Sequence, residues 1–509
     1  MKGCKLVFRC IIWFVALSLS TVSAQEASSF TEVGTTLHAG DHTPLWQNSL
    51  QHGLSSTKNN AYLRGAVLCR DTLNRNWNWG AGIDIVAGTG LDADFFVQQA
   101  YVDLAWRCLD LSIGSKELSS NMLNQNLTSG GLVWSGNARP IPQIRVGIFE
   151  YTPLSSWLAI KGEASYGWWT DGGYLSTRKS QLELIADQSQ GDYPWYTKGI
   201  KYHHKSFYLR IGKPARRWQL ELGMRLDDQF GGYLVNQHNA GNVSGQTINL
   251  GNSFEDYWKA FFPGKGNSSS QPGEQIQVEG NFLGSEQARL TYHADQCSLS
   301  AYLENYYDDF SGMGKLNGWD GLWGIEYASL HTSWLSGVLF EYYQTTNQSG
   351  SLHGVDGTDA TKTGGADNYY NNYLYQGWTH WGQTMANPLI ASPAYFADKI
   401  VKSVDNNGMM GFPYNRVKAY HIGFSGTLTQ NLNYRLKLTH SDTWGTPFSP
   451  TLNILSNNSA FFEMIYRPYR GMNNSNIWKG VTLTTSLAVD RGDIYGDNFG
   501  WQFKVRKEF

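Results

Sequence analysis

The sequence predicts an all-β fold, a transmembrane antiparallel up-and-down β-barrel of about eighteen strands, with sixteen as the other count its segments allow. Three observations predict it. Apolar and polar residues alternate with a period of two in segment after segment. No stretch beyond the N-terminus has the run of roughly 18 apolar residues that a membrane helix needs. The 509 residues include 20 Trp, 29 Tyr, 23 Phe and 55 Gly, while only 16% are charged; aromatic girdles at both interfaces and tight turns give membrane barrels this bias.

Between 217 and 227, Trp218, Leu220, Leu222, Met224 and Leu226 alternate with Arg217, Gln219, Glu221, Gly223, Arg225 and Asp227. Side chains two apart on a strand share a face, so the first set faces lipid and the second a wet lumen. Residues 431–439 repeat this, with Leu432, Tyr434, Leu436 and Leu438 against Asn433, Arg435, Lys437 and Thr439. In 158–168, Ile160, Ala164, Tyr166 and Trp168 oppose Lys161 and Glu163. Further strands read at 60–70, 77–88, 95–107, 109–116, 143–150, 200–212, 286–294, 297–307, 321–329, 333–344, 415–428, 459–468, 478–490 and from 499 onward. One of them is awkward: Phe207, Leu209 and Ile211 set a lipid face that also carries His203 and Lys205, which places those two beyond the hydrocarbon band. In the last segment Phe499, Trp501, Phe503 and Val505 share a face that ends on Phe509. That ending resembles the signal read by the barrel assembly machinery of the outer membrane, an expected partner alongside outer-membrane lipid. Backbone groups in lipid find no water, so spanning strands close on themselves.

Residues 1–24 read as a signal peptide: Lys2, Lys5 and Arg9, an apolar stretch at 10–19, and a small-residue site at Val22, Ser23 and Ala24. The expected location is the outer membrane. Cleavage there moves the formal charge from −2 to −5 and leaves no basic field for nucleic acid. Three cysteines remain, Cys69, Cys108 and Cys297, too few and too scattered for a disulfide framework. Residues 25–58 lack clean alternation and hold a helix-compatible stretch at 45–54, so they read as a periplasmic or plug-like segment preceding a barrel of 59–509. The polar, aromatic connections 229–281 and 345–414 read as extracellular loops or partial lumen plugs.

No catalytic constellation stands out, and the expectation is a protein without catalytic activity. Gly-x-Ser-x-Gly, Cys-x-x-Cys, His-Glu-x-x-His and phosphate-loop motifs are absent. His203 and His204 are adjacent, so on a strand they point to opposite faces and make a poor metal pair. Asp227 with Asp228 and Asp308 with Asp309 split likewise. By parity the lumen holds Asp103, Arg107, Arg145, Lys161, Glu163, Arg210, Arg217, Glu221, Arg225, Arg289, Glu304, Glu326, Glu341, Arg435 and Lys437, a mixed set of the kind that braces any barrel interior.

Segment 367–388 differs. It joins the flat faces of Tyr369, Tyr370, Tyr373, Trp378 and Trp381 to the amides of Asn371, Asn372 and Gln383. Rings stack on the C–H face of a pyranose, and amides both donate to and accept from its hydroxyls. An aromatic belt, or a loop folded into the barrel to stiffen it, is the competing reading. Trp168, Trp169 and Asp171 carry the same ambiguity.

Several blocks together resemble the Wzi-type capsule assembly family of outer-membrane proteins: Asn137-Ala138-Arg139-Pro140-Ile141-Pro142-Gln143; Lys161-Gly162-Glu163 through Tyr166-Gly167 to Asp171-Gly172; His203-His204-Lys205-Ser206-Phe207-Tyr208; Tyr370-Asn371-Asn372 with Gly377-Trp378; and Asn415-Arg416-Val417. They run in order over most of the mature chain. The resemblance implies an eighteen-stranded barrel occluded by loops and helical elements, acting alone as a lectin-like anchor for capsular polysaccharide, with neither catalysis nor metal. It casts Arg139, Lys161, Glu163 and Arg416 as braces. The helical plug of better-known members has no clear counterpart in 25–58. A channel for sugars or oligosaccharides is the alternative function.

Overall fold

The computed structural model describes residues 26–120, 122–187, 194–213, 216–237, 246–263, 280–308, 313–350, 367–372, 374–375, 377–396, 411–469 and 477–509. The signal-peptide segment 1–24 lies outside them. Eighteen strands form one closed antiparallel sheet. They are β1 (Glu26–Ala39), β2 (Asn60–Asn74), β3 (Trp77–Thr89), β4 (Phe95–Trp106), β5 (Leu109–Ser115), β6 (Gln143–Pro153), β7 (Leu158–Trp168), β8 (Lys201–Ile211) and β9 (Trp218–Phe230). The circuit continues through β10 (Asn281–His293), β11 (Cys297–Tyr307), β12 (Gly321–Ser329), β13 (Gly337–Gln344), β14 (Val417–Thr429), β15 (Leu432–Gly445), β16 (Pro450–Tyr466), β17 (Val481–Gly492) and β18 (Asn498–Glu508). Each strand pairs with the next, and Val33 of β1 sits opposite both Leu63 of β2 and Val505 of β18, which closes the cylinder.

The boundary expected near residue 59 is corrected here: the barrel begins at Glu26, and 26–39 is a wall strand. Its alternation was masked because its one aromatic points inward. Phe30 lies under the guanidinium carbons of Arg506 and Arg64, at 3.5 and 5.3 Å from the ring centre. Outward stand Thr31, Val33, Thr35 and Leu37, a mixture too weak to read as a lipid face.

The outward rows carry an apolar belt. Val33, Ile83, Val102, Ile113, Val146, Phe207, Leu299, Ile325, Leu487 and Phe499 are among the large apolar side chains left exposed around the circumference. Contiguous apolar surface on this scale is unsustainable in water and is what acyl chains require. Connections sort by end. The turns 75–76, 107–108, 294–296 and 430–431 are short and share the end with both chain termini, whereas 40–59, 116–142, 169–200, 231–280 and 345–416 are long. Outer-membrane barrels keep short turns in the periplasm and long loops outside, which orients the cylinder.

Glycine recurs directly opposite tyrosine across the wall: Gly34–Tyr62, Gly82–Tyr101, Gly223–Tyr208, Gly284–Tyr307 and Gly324–Tyr302. In each pair the ring lies where a Cβ on the glycine would be. The aromatic covers the bare backbone, a cross-strand packing that pins register. We expect Gly324→Val to lower the unfolding free energy in detergent by roughly 1–3 kcal/mol, the usual cost of overpacking. Gly65→Ala, whose added Cβ meets open space, should leave the urea midpoint unchanged.

Candidate functional site

The lumen is filled by the chain's own loops. Connection 116–142 turns inward from β5 and crosses the barrel, and inward charges of the wall hold its backbone. Glu341 of β13 accepts from Thr128 Oγ1 at 2.6 Å, from the Ser129 amide at 2.7 Å and from the Tyr302 hydroxyl at 2.5 Å. Glu304 of β11 accepts from the Leu132 amide at 2.7 Å, and Glu326 of β12 from Asn124 Nδ2 at 2.7 Å. Cations take the carbonyls: Arg289 donates to Met122 O at 2.7 Å, Lys437 to Thr128 O at 2.9 Å and Arg435 to Asn126 O at 3.1 Å. His421 donates through Nε2 to Leu127 O at 2.7 Å, while its Nδ1 accepts from the Thr439 hydroxyl at 2.7 Å. On the far wall Arg64 of β2, bound to Asp84, also reaches Glu117 at 2.8 Å. A buried backbone group without a partner is expensive, and so is a buried charge; here each satisfies the other.

Two further loops lock onto this crossing. In 40–59 a single helical turn, Leu45–Asn48, is buried inside the barrel. Its first amide donates to Asp490 of β17 at 2.9 Å, and Trp46 Nε1 donates to Thr439 at 3.0 Å. Asn137 joins all three loops: its Oδ1 accepts from the Leu50 amide at 2.8 Å and its Nδ2 donates to Thr384 O at 2.9 Å. From 345–416, Asn387 Nδ2 donates to Gly130 O at 2.6 Å, and the Ser135 amide donates to Met385 O at 3.0 Å.

This overturns the picture of segment 367–388 as a glycan platform. Tyr369, Tyr370 and Trp378 are at most 1% exposed and belong to the apolar core of the plug, with Trp169 and Gln383 also buried. Trp378 donates to Val133 O and Trp169 to Thr379 O, both at 2.8 Å, and the two indoles meet at 5.1 Å. The amides are occupied by backbone: Asn371 exchanges two hydrogen bonds with Phe412, and Asn372 Oδ1 accepts from the amides of Leu374 and Tyr375. Tyr373 lies outside the described residues. Trp168 faces outward on the lipid side, 51% exposed.

Trp381 and Asp171 are partly open, as are Asn371 and Asn372, whose amides are already occupied. Trp381 and Gly382 take positive φ at the tip of a two-residue hairpin, Thr379–His380 against Gln383–Thr384. The Trp381 ring closes a sandwich in which the Arg139 guanidinium carbon lies 3.8 Å from both the Phe96 and Trp381 ring centres. Arg139 donates to Val97 O at 3.0 Å, and its Nε and Nη1 have no hydrogen-bond partner among the described residues. Burial, with the nearby Arg139 charge adding to it, holds His380 down to about 3. The neutral ring donates through Nδ1 to Arg139 O at 2.9 Å and leaves Nε2 to accept from Thr170 at 3.1 Å. Asp171 caps helix Tyr174–Glu183, accepting from the amides of Gly173 and Leu175.

Toward the periplasmic side a cavity of about 700 Å³ remains between plug and wall. Arg70, Lys116, Arg145, Lys161 and Arg225 line it together with Asp103, Asp110, Glu150 and Glu163, and Trp134 lies among its lining residues. Much of this charge is internally paired. Arg145 binds Glu163; His204 stands 3.3 Å from both Glu163 and Asp227; Arg225 grips Asp227 at 2.5 Å. Arg210 binds Glu221 at 2.9 Å over the Tyr151 ring, and Arg435 binds Glu463 at 2.8 Å. Two residues assigned to the lumen by parity are not in it: Arg107 is exposed in the turn after β4, and Arg217 is exposed beside Asp295 in the turn before β9. The residues that do most to close the barrel, Glu117, Thr128, Ser129 and Asn137, drew little notice in the sequence, since only the resemblance block touched 116–142. The signal available was a long connection with few charges, placed between strands too short to need it.

These features define an occluded transmembrane β-barrel of the outer membrane. No protein-family model matches the chain, and no curated protein matches its sequence. Among solved structures it is similar to OccD3 of Pseudomonas aeruginosa, at 8% identity over 96% of this chain and 92% of that one, with a TM-score of 0.44. It is similar also to OccAB4 of Acinetobacter baumannii, at 9% identity, 96% and 99% coverage and a TM-score of 0.44. A third is the outer-membrane channel DcaP of Acinetobacter baumannii, at 10% identity, 95% and 96% coverage and a TM-score of 0.40.

Glu341→Gln tests the plug's seating. An amide in that place turns a donor toward donors and leaves the Ser129 N–H or the Tyr302 hydroxyl unmet, a loss of roughly 1.5–3 kcal/mol. Hydrogen exchange at 127–133 should accelerate by about tenfold or more, while protection of the wall strands stays as in the wild type.

Proposed function

We propose that this protein is a non-catalytic outer-membrane anchor that holds capsular polysaccharide at the cell surface. The observation that supports the reading is the plug. A cylinder whose interior is crossed by 116–142 and filled by 40–59 and the described parts of 345–416 has its extracellular cap, rather than a lumen, to offer a polymer. Three of the blocks resembling the Wzi-type family include residues that hold this plug together. Asn137 ties three loops together, Asn371 holds Phe412, and Asn415 Nδ2 donates to Asn368 Oδ1 and Tyr369 O at 2.7 Å. Glu163 and His204, from two other blocks, pair across the wall.

With Tyr369, Tyr370 and Trp378 inside, the sugar-facing surface is carried by Trp381, partly exposed beside Thr170 and Asp171. An indole face for stacking next to a hydroxyl and a carboxylate suits a pyranose. Deleting the protein should shift capsular polysaccharide from the cell-bound to the shed fraction. Complementation with Trp381→Ala should restore less bound polysaccharide than Trp381→Phe, which keeps an aromatic face over Arg139. Unchanged retention on deletion would overturn the proposal. The channel reading draws on the charged 700 Å³ cavity, but it demands that the plug leave. It predicts uptake of labelled oligosaccharide by proteoliposomes above that of protein-free vesicles.

A further inference from the structure

Helix Phe254–Phe261 lies outside the barrel, against the outward faces of β8 and β9 and against Tyr166 of β7. Cross-strand register shows what it covers. Val102, Ile113, Ile144 and Tyr166 stand directly opposite one another in turn across β4 to β7, and the first three are 44–57% exposed members of the lipid belt. The same row continues from Tyr166 into His203 of β8 and Asp228 of β9, with Lys205 next on the same face. Polar groups on a lipid-facing row are costly. The sequence placed His203 and Lys205 beyond the hydrocarbon; the structure lays a helix over them, and His203 and Asp228 are fully buried. Phe261 packs 5.4 Å from the His203 ring, and its carbonyl accepts from the Lys205 ammonium. The Tyr166 hydroxyl donates to Tyr257 O at 2.7 Å, with Phe230 edge-on to Tyr257 at 5.1 Å.

The helix is well formed. Ser253 and Asp256 make a capping box, and Glu255 pairs with Lys259 at 3.0 Å. Tyr257, Ala260 and Phe261 turn toward the wall. On the neighbouring flank Phe254, Trp258 and Phe262 recur every fourth residue, 83%, 58% and 53% exposed, with Glu255 and Lys259 beyond them. One flank is therefore occupied by the barrel, while an equally apolar stripe beside it has no protein cover among the described residues. Trp168, opposite Lys201, and Phe207, next after Lys205 on the same outward face, flank the covered row and are both about half-exposed, so the belt resumes at either end of it.

We propose that this helix is an interfacial anchor whose occupant is membrane lipid. Phe254, Trp258 and Phe262 insert at the boundary between headgroups and acyl chains, and Glu255 and Lys259 stay in the polar layer. Amphipathic helices with an aromatic stripe bind lipid this way, and tryptophan favours that boundary. The anchor keeps the extracellular ends of β7 to β9 at fixed depth and seals their polar row from lipid.

The test uses the chain from residue 25 onward with Cys69, Cys108 and Cys297 replaced by serine, reconstituted in vesicles of phosphatidylcholine and phosphatidylglycerol. A spin label at Trp258→Cys is compared by power saturation with one at Val102→Cys in the belt and one at Leu184→Cys in an exposed loop. We expect oxygen collisions to exceed those of a water-soluble nickel chelate severalfold, as at Val102. Nickel accessibility like that of Leu184 would overturn the proposal, and so would low accessibility to both probes, which would place protein over the stripe. Labels at Phe254→Cys and Phe262→Cys repeat the measurement, so a single misfolded variant does not decide it.

Discussion

Charged side chains aimed into a closed cylinder need partners, and so does a loop backbone carried into the same space. In this protein the two needs are met together. Glu341, Glu304 and Glu326 present carboxylates to the plug's N–H and hydroxyl donors, while Arg289, Lys437 and His421 take its carbonyls. Removing one partner from such a set leaves a desolvated polar group behind, which costs more than the net gain from making the contact. The plug is thereby written into the wall: the inward rows of β10 to β15 are its receptor, and Trp378, Trp169, Tyr369 and Tyr306 share one apolar core with the loops those rows hold.

The outside obeys the opposite rule and reaches the same economy. Apolar rows face lipid wherever strands are bare. Where the row of Tyr166 runs into His203 and Asp228, a helix is laid over it instead of the residues being changed. Glycines opposite tyrosines serve closure, letting a ring lie flat on the neighbouring strand at five places around the circuit. Interior and exterior thus depend on one property of a strand, that successive side chains go to opposite sides, and each side is completed by a loop that supplies what the strand lacks.

That property is also why so much of the wall could be read from the sequence. Seventeen of the eighteen strands showed an alternating segment, and the inward charges Arg145, Glu163, Arg225, Glu304, Glu326, Glu341 and Lys437 fell on the correct face. The first strand escaped because Phe30 is stacked under arginines inside, where an aromatic is not expected. Arg107 and Arg217 were misplaced because parity says nothing about where a strand ends. The site was far less legible. An aromatic, amide-rich loop has the same composition whether it greets a sugar or packs against itself, and only the partners of Asn371, Trp378 and Trp169 distinguish the two. Sequence period likewise gives no sign that 116–142 turns inward, since many of its anchors are backbone groups, which every residue has.

The central claim is that the wall's charges hold a plug that closes the lumen. Planar-bilayer recording tests it most directly. Purified full-length protein should insert without producing stable conductance steps, and a variant lacking the 117–137 crossing should produce them. Steady open-channel steps from the unaltered protein would contradict the account.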